Sequence, residues 1–258
     1  MADALLTIDN VVKRFDDTTI LDGISFSVKK SEVIVIVGPS GCGKSTVVNM
    51  LIGAYRPKAG EVTVGGKPLE SVTRESYYSH IASVSYNTYI FNDTVRANFE
   101  LAKKNVSDEE IWAALEKVNL AGFIKENGGL DKVITEDANN VSGGQKQRLA
   151  LAVNLVADKD IYVFDEATSN IDIESEAIIM RNIKAMSAQK AVIVISHRLA
   201  NVVPADNIYF MEEGEVKEHG SHAELMEAQG GYAKLFNAQK ELEEGYKEIT
   251  GVAAEVRA

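Results

Sequence analysis

Residues 38–46 read Gly-Pro-Ser-Gly-Cys-Gly-Lys-Ser-Thr, and they follow directly on the apolar run Val-Ile-Val-Ile-Val at 33–37. The pattern G-x-x-x-x-G-K-S/T, placed after a strand and before a helix, predicts a phosphate-binding loop. Gly38, Gly41 and Gly43 let the backbone curl so that successive N–H groups point inward. The helix predicted to begin at Lys44 adds the positive end of its dipole. We therefore expect the chain to bind a nucleoside triphosphate.

The side chains of this loop have predictable roles. Lys44 is expected to reach the β- and γ-phosphates, and the Ser45 hydroxyl is expected to ligate Mg²⁺. Cys42 either fills its position with a small side chain or offers a thiol whose modification blocks nucleotide binding. The predicted nucleotide-binding set is Gly38, Pro39, Ser40, Gly41, Cys42, Gly43, Lys44, Ser45 and Thr46.

Composition narrows the class of protein. The chain has 258 residues, 45% of them hydrophobic and 25% charged, with a net charge of −11. This length and balance predict one large domain, or one domain with a subdomain. The acidic charge argues against a nucleic-acid partner, because duplex binding needs a basic face. One cysteine excludes an intrachain disulfide and is consistent with a reducing compartment. No apolar run approaches the roughly 18 residues of a membrane span, so we expect this stretch to be soluble.

Hydrophobic patterning predicts an α/β fold. Continuous apolar runs at 33–37, 161–164 and 191–195 are typical of parallel strands covered on both faces. Period-two alternation at 6–12, 24–28 and 61–64 predicts an antiparallel layer, and a short ribbon is expected to turn at Glu213 and Gly214. Between about 91 and 156 the period becomes helical, with a capping box at 107–110. The prediction is a parallel sheet flanked by helices, with an antiparallel β layer and an inserted helical subdomain.

These patterns also suggest boundaries within a single domain. Residues 1–86 and 157–239 are assigned to the α/β core, and residues 87–156 to the helical subdomain. Residues 240–258 are assigned to a charged C-terminal tail.

A second glycine pair lies inside the helical insertion, where residues 141–148 read Val-Ser-Gly-Gly-Gln-Lys-Gln-Arg. Ser142 and Gln145 fit a capping box at a helix start. Gly143 and Gly144 weaken that first turn by about 0.5–1 kcal/mol each, but they clear side chains from its exposed N–H groups. Here the chain resembles the ATP-binding cassette family, whose signature is Ser-Gly-Gly-Gln after an apolar residue. The resemblance extends from the first strand to about Gln239, and it implies a P-loop NTPase core and an ATP contact at 142–145.

The resemblance assigns further residues. The run at 161–166, Ile-Tyr-Val-Phe-Asp-Glu, matches the family's Walker B strand. It implies that Asp165 holds Mg²⁺, directly or indirectly, and that Glu166 polarises the attacking water as general base. His197 resembles the switch histidine that contacts the γ-phosphate. The implied catalytic set is Glu166, His197 and Lys44.

Phe15 lies where the family places an aromatic residue that stacks on adenine. A role in the protein core is the alternative interpretation. Such stacking tolerates any base, which leaves GTP open beside ATP.

The chain also departs from the family. Tyr86 occupies the position of a glutamine that normally follows the strand leading into the insertion, and a phenol offers no short amide carbonyl. Asn87, one residue on, is the possible substitute, and we expect a weakened but not abolished ATPase. Glu136 matches a glutamate typical of the exporter branch, with surface solvation as its alternative role. Asn154 replaces an arginine that commonly follows the signature, with no strong consequence expected.

Family resemblance implies that two chains pair head to tail and enclose two ATP molecules, each between the phosphate loop of one chain and the signature of the other. The predicted function is the ATP-hydrolysing motor domain of an exporter, at the cytoplasmic face of the membrane. Its expected partners are a second nucleotide-binding domain, identical or different, and transmembrane domains encoded separately or omitted before Met1. The alternatives are a soluble, non-transport ATPase of the same type and a phosphotransferase. The signature opposes the last, because a kinase needs no second phosphate-binding helix end.

Overall fold

Two β-sheets organise the protein, whose computed structural model describes residues 4–86, 89–135, 140–196 and 198–250. The smaller sheet is antiparallel and has the strand order β2-β1-β4-β5. Its strands are β1 (Ala4–Phe15), β2 (Thr18–Lys29), β4 (Ala59–Val64) and β5 (Lys67–Pro68). This sheet confirms the predicted antiparallel layer.

The larger sheet has six strands in the order β10-β9-β3-β8-β7-β6. Neighbouring strands are parallel from β9 to β6, and only β10 runs antiparallel to its neighbour β9. The strands are β3 (Val33–Val37), β6 (Ile81–Ser85), β7 (Ile161–Asp165), β8 (Ala191–Ile195), β9 (Asn207–Glu212) and β10 (Glu215–Gly220). The sheet confirms the predicted parallel core, including the ribbon that turns at Glu213 and Gly214.

In the described part of the segment between β6 and β7, four α-helices form the helical insertion: α3 (Val95–Ala102), α4 (Asp108–Lys117), α5 (Ala121–Glu126) and α6 (Gly143–Val156). The capping box predicted at the start of α4 is present, with Ser107 and Glu110 bonded reciprocally. The other helices are α1 (Lys44–Leu51), α2 (Arg74–His80), α7 (Ile173–Ser187), α8 (Leu199–Val202), α9 (His222–Ala228) and α10 (Gly231–Thr250). Since α10 runs through position 240, the predicted boundary of the C-terminal tail falls inside a helix.

Strand β3 shows why its sequence is apolar at every position. Val33, Val35 and Val37 pack into one hydrophobic cluster with the helical insertion. Ile34 and Ile36 pack into the other, with α1 and the antiparallel sheet. Successive strand residues point to opposite faces, so a strand covered on both sides must be apolar throughout. This burial fixes the end of β3, from which the phosphate-binding loop departs.

Candidate functional site

The phosphate loop, residues 38–43, leaves β3 and leads directly into α1. Gly38 has a φ of 155°, and a Cβ there would collide with the Met211 carbonyl oxygen on β9. Gly43 has a φ of 105°, and its Cβ would lie 2.6 Å from Leu21 Cδ2 on β2. Both glycines are therefore required by backbone conformation and by close packing, which places the loop against the two sheets.

Lys44 is the first residue of α1 and is only 7% exposed. Its Nζ donates to the carbonyl oxygens of Gly38 at 2.7 Å and Pro39 at 2.9 Å. Within the described residues, no ion pair joins this ammonium to a carboxylate. A buried cation without an anion is costly, so the loop is electrostatically suited to an anionic ligand.

The remaining side chains of the nucleotide-binding set divide by exposure. Ser40 and Ser45 are exposed and Thr46 is half-buried, so their hydroxyls lie on the open side of the loop and of α1. The Cys42 side chain is buried, with Sγ 3.7 Å from Lys44 Nζ. This burial favours the packing role for Cys42 over a reactive thiol.

Asp165 and Glu166 stand at the carboxyl end of β7. Asp165 pairs with Ser85 of β6 and Ile195 of β8. The N–H of Glu166 donates to the Ile195 carbonyl oxygen at 3.0 Å, and its φ of 51° is uncommon for a residue other than glycine. Because β7, β8 and β3 are parallel, both residues lie at the end of the sheet where the phosphate loop begins, and this end is where α/β sheets hold ligands.

The segment that follows, the β7–α7 loop of residues 166–172, is held by the buried amide of Gln147 on α6. Gln147 Nε2 donates to the Glu166 carbonyl oxygen at 3.2 Å, and Gln147 Oε1 accepts from the Asn170 N–H at 3.1 Å. The same loop is braced within itself, since Ser169 Oγ donates to the Glu166 carbonyl oxygen at 2.9 Å.

Arg198 holds the β7–α7 loop from its other side. Its Nη2 donates to the carbonyl oxygens of Ser169 at 2.9 Å and Ile171 at 3.2 Å, and its Nη1 pairs with Glu176. Glu176 is 5% exposed and also accepts hydrogen bonds from Thr168 and Asn201. Sequence reasoning missed this network. Its only indication is that Glu176 shares the buried stripe of α7 with Ile179 and Ile183, where a carboxylate requires a partner.

The signature segment, residues 142–145, forms the N-terminus of α6. Its capping box is confirmed, with the Gln145 N–H donating to Ser142 Oγ and the Ser142 N–H donating to Gln145 Oε1. Ser142 and Gly143 are exposed, and a Cβ at Gly143 would meet nothing within 4 Å. A Cβ at Gly144 would lie 2.9 Å from the Asn170 carbonyl oxygen. Gly143 thus faces open space, whereas Gly144 is required by contact with the β7–α7 loop.

Phe15, at the end of β1, is 41% exposed. The alternative that it belongs to the core is therefore wrong. Its ring meets Tyr55 edge to face at 5.3 Å, and Lys13 Nζ lies 4.9 Å from its centroid. The two neighbours hold the ring at the surface with part of it accessible.

Five residues were singled out by the resemblance or by a departure from the family pattern, and the structure describes two of them, Tyr86 and Asn154. Tyr86 is 52% exposed, and its N–H donates to the Asp165 carbonyl oxygen at 3.1 Å. Asn154 bonds within α6, donating to the Ala150 carbonyl oxygen at 2.9 Å. His197, Asn87 and Glu136 lie outside the described residues, so their predicted roles remain predictions.

Similarity to known proteins agrees with this geometry. A family model described as ABC transporter matches residues 21–169. An ABC transporter ATP-binding protein of Haemophilus influenzae is 46% identical over 87% of this chain and 40% of its own length. A multidrug resistance ABC transporter ATP-binding and permease protein of Lactococcus lactis is 38% identical over 87% of this chain and 38% of its own length. An ATP-dependent lipid A-core flippase of Pasteurella multocida is 40% identical over 86% of this chain and 39% of its own length.

A solved structure shows the same fold. A bacterial Atm1-family ABC exporter with ATP bound superposes with a TM-score of 0.88 and 34% identity, covering 93% of this chain and 43% of the exporter chain. This likeness confirms the predicted P-loop NTPase fold with its helical insertion. The chain spans about two fifths of the length of the curated relatives it matches. Among the helices described here, none combines the length and apolar character needed to cross a bilayer. Because the family model matches more than half of the chain, at residues 21–169, the chain belongs to the ABC transporter family.

Proposed function

We propose that this chain is the ATP-binding and ATP-hydrolysing motor domain of an ABC exporter. The observation that carries the proposal is the exposed signature segment. Ser142 and Gly143 open a 14-residue helix toward solvent, while the phosphate loop with its buried Lys44 lies at another helix start. Two anion-binding helix ends in one chain suit two ATP sites shared between two chains.

ATP binding rests on the phosphate loop. Backbone N–H groups between Ser40 and Thr46 and the Lys44 ammonium bind the phosphates, and the exposed ring of Phe15 stacks on the base. The Ser45 hydroxyl and the Asp165 carboxylate fit Mg²⁺, since both are oxygen donors beside the phosphate loop and its sheet edge. When bound, the ion would neutralise charge on the phosphates.

We assign the role of general base in ATP hydrolysis to Glu166, at the carboxyl end of β7. Its carboxylate takes a proton from water as the water oxygen bonds to the γ-phosphorus. The bond from that phosphorus to the β,γ-bridging oxygen breaks, and ADP leaves with that oxygen. Such a general base contributes about 10²–10⁴ in rate. Lys44 stabilises the negative charge, and His197 is proposed to contact the γ-phosphate.

Pairing of two chains would couple ATP binding and hydrolysis to a conformational change. The Ser142 hydroxyl and the Gly143 N–H of one chain bind the γ-phosphate held by its partner, and each charge-assisted bond contributes about 1.5–3 kcal/mol. Losing about 3 kcal/mol after hydrolysis shifts the equilibrium between closed and open pairs by more than about 100-fold. We propose that this cycle moves transmembrane domains at the cytoplasmic face of the membrane, as expected from the relatives named as permease, flippase and exporter.

Size-exclusion chromatography tests the pairing. Glu166→Gln with ATP should elute as a stable dimer, because ATP is held but not consumed. Lys44→Ala with ATP should elute as a monomer, because it lacks the main phosphate contact. A monomer for both variants would contradict the paired arrangement.

A further inference from the structure

We propose that Gln147 is a positioning residue that links the two ATP sites of the paired domains through a single chain. The inference rests on the proposed function, because it requires that the signature segment of one chain contacts ATP held by the other. The contact involved is internal to the chain: Gln147 joins the helix that begins with the signature segment to the turn that carries Glu166.

The geometry leaves this amide one arrangement. Gln147 is 4% exposed, so water cannot readily replace its partners. Its donor nitrogen is bonded to the Glu166 carbonyl oxygen and its acceptor oxygen to the Asn170 N–H. Reversing the amide would place donor against donor and acceptor against acceptor. One side chain therefore fixes the β7–α7 loop relative to α6 at two points, residues 166 and 170.

A second contact makes this connection stiff. A Cβ on Gly144 would lie 2.9 Å from the Asn170 carbonyl oxygen, so the backbones of α6 and the β7–α7 loop already touch. Gln147 lies on the following turn of the same helix. Displacement of the signature segment is therefore transmitted to residue 170 by contact and to residue 166 by the amide.

The consequence concerns Glu166. Its backbone is held at a φ of 51°, a conformation that L-residues seldom adopt without support. When the signature segment binds the partner's ATP, α6 is fixed, and Gln147 fixes the Glu166 turn at this chain's own ATP. When the pair closes around ATP at one site, it therefore fixes the position of the general base, Glu166, at the other ATP site.

Two variants at Gln147 distinguish the contributions of its two hydrogen bonds. Gln147→Glu keeps an oxygen for the Asn170 N–H but removes the donor to the Glu166 carbonyl. Gln147→Met keeps the length and removes both bonds. Asn154→Met is the matched control, because its amide lies on the same helix and, among the described residues, donates to the Ala150 carbonyl oxygen of that helix at 2.9 Å rather than to the β7–α7 loop.

Steady-state ATP hydrolysis is the measurement. The wild-type chain should hydrolyse ATP with a Hill coefficient above one. Both Gln147 variants should lose about tenfold in kcat, since a misplacement of about 1 Å costs up to about 100-fold. Their ATP affinity should change by less than about twofold, as no phosphate contact is removed, and their Hill coefficient should fall to one. Asn154→Met should behave as wild type.

Several results would overturn the link. The first is ATP hydrolysis by the wild-type chain with a Hill coefficient of one. The second is an unchanged kcat or Hill coefficient in both Gln147 variants. The third is a loss of kcat in Asn154→Met as large as that in the Gln147 variants. If Glu166→Gln fails to dimerise with ATP, the proposed function itself fails. Dimerisation with unchanged Gln147 kinetics defeats this inference alone.

A measurement on Glu166→Gln covers the case in which the Gln147 variants do not fold. Backbone hydrogen exchange at Asn170 should slow further when ATP closes the pair, because closure fixes α6 and with it the Gln147 amide that already holds the Asn170 N–H. Exchange that is the same with and without ATP would overturn the proposal.

Discussion

Gly143→Ala should separate the stability of this protein from its ability to pair. The φ of Gly143 lies outside the left-handed region, and a Cβ there meets nothing within 4 Å. A glycine-to-alanine change at such a position stabilises by about 0.4–1 kcal/mol, because it restricts the unfolded chain. Gly144→Ala is the matched comparison. Its Cβ lies 2.9 Å from a backbone oxygen, so crowding should destabilise the fold by about 1–3 kcal/mol.

The same methyl group at Gly143 should weaken pairing. It covers an exposed N–H that we propose to bind the partner's γ-phosphate, and a lost charge-assisted bond costs about 1.5–3 kcal/mol. That loss corresponds to roughly 10- to 150-fold weaker association for each site. The effect is measured in a Glu166→Gln background by sedimentation with ATP, and stability is measured by urea unfolding without nucleotide.

The essential result is that Gly143→Ala raises the free energy of unfolding while it weakens association of the two chains. A Gly143→Ala protein that pairs as tightly as its parent would refute the contact assigned to the signature segment. A Gly143→Ala protein that is less stable than its parent would refute the geometry of the helix start. Gly144→Ala should lower the free energy of unfolding instead, which excludes a general stabilising effect of alanine in this turn.

Three further predictions address other parts of the site. Phe15→Ala should weaken ATP binding by about 1–3 kcal/mol through lost stacking while leaving the melting temperature nearly unchanged, since the ring is 41% exposed; unchanged affinity in a fluorescence titration would count against a base contact. Tyr86→Gln should raise ATP turnover by restoring an amide beside Asp165, and a wild-type rate no lower than the variant's would contradict the weakened-ATPase expectation. At Asp172, the hydrogen bond from the Ser175 N–H lowers the pKa of the carboxyl, so its contribution is present above the ordinary pKa and lost as pH falls through the folded-state pKa. Asp172→Asn, which can cap but not titrate, should therefore show a shallower loss of unfolding free energy below about pH 4 in urea titrations; an identical acid slope would show that this cap does not titrate on unfolding.

The fold could be predicted because its elements have strong local signals. Strand β3 is apolar at every position since it is buried on both faces, and this run is followed by the glycine pattern of the phosphate loop. The capping boxes at Ser107 and Ser142 are defined within four residues, so they need no knowledge of tertiary structure. The end of α10 could not be placed, because a charged segment at a helix end carries no stop signal.

The residues that hold the β7–α7 loop in place were harder to predict, because they depend on contacts between residues that are distant along the chain. Gly143 and Gly144 look equivalent in sequence, yet only Gly144 contacts the β7–α7 loop. Gln147 and Glu176 interrupt the buried faces of α6 and α7, which indicates that each has a polar partner. The identity of that partner depends on how α6, α7 and the segment after β8 meet, which local patterns do not specify.

The β7–α7 loop is the element on which these supports converge. Gln147 bonds to it from α6, and Arg198 bonds to the carbonyl oxygens of Ser169 and Ile171 from the segment after β8. A rotation of α6 away from the loop would leave the Asn170 N–H and the buried Gln147 amide without partners, at about 1–3 kcal/mol for each group. Since that cost is comparable to the binding energy of one γ-phosphate contact, α6 and the loop should move as one body when the domains close.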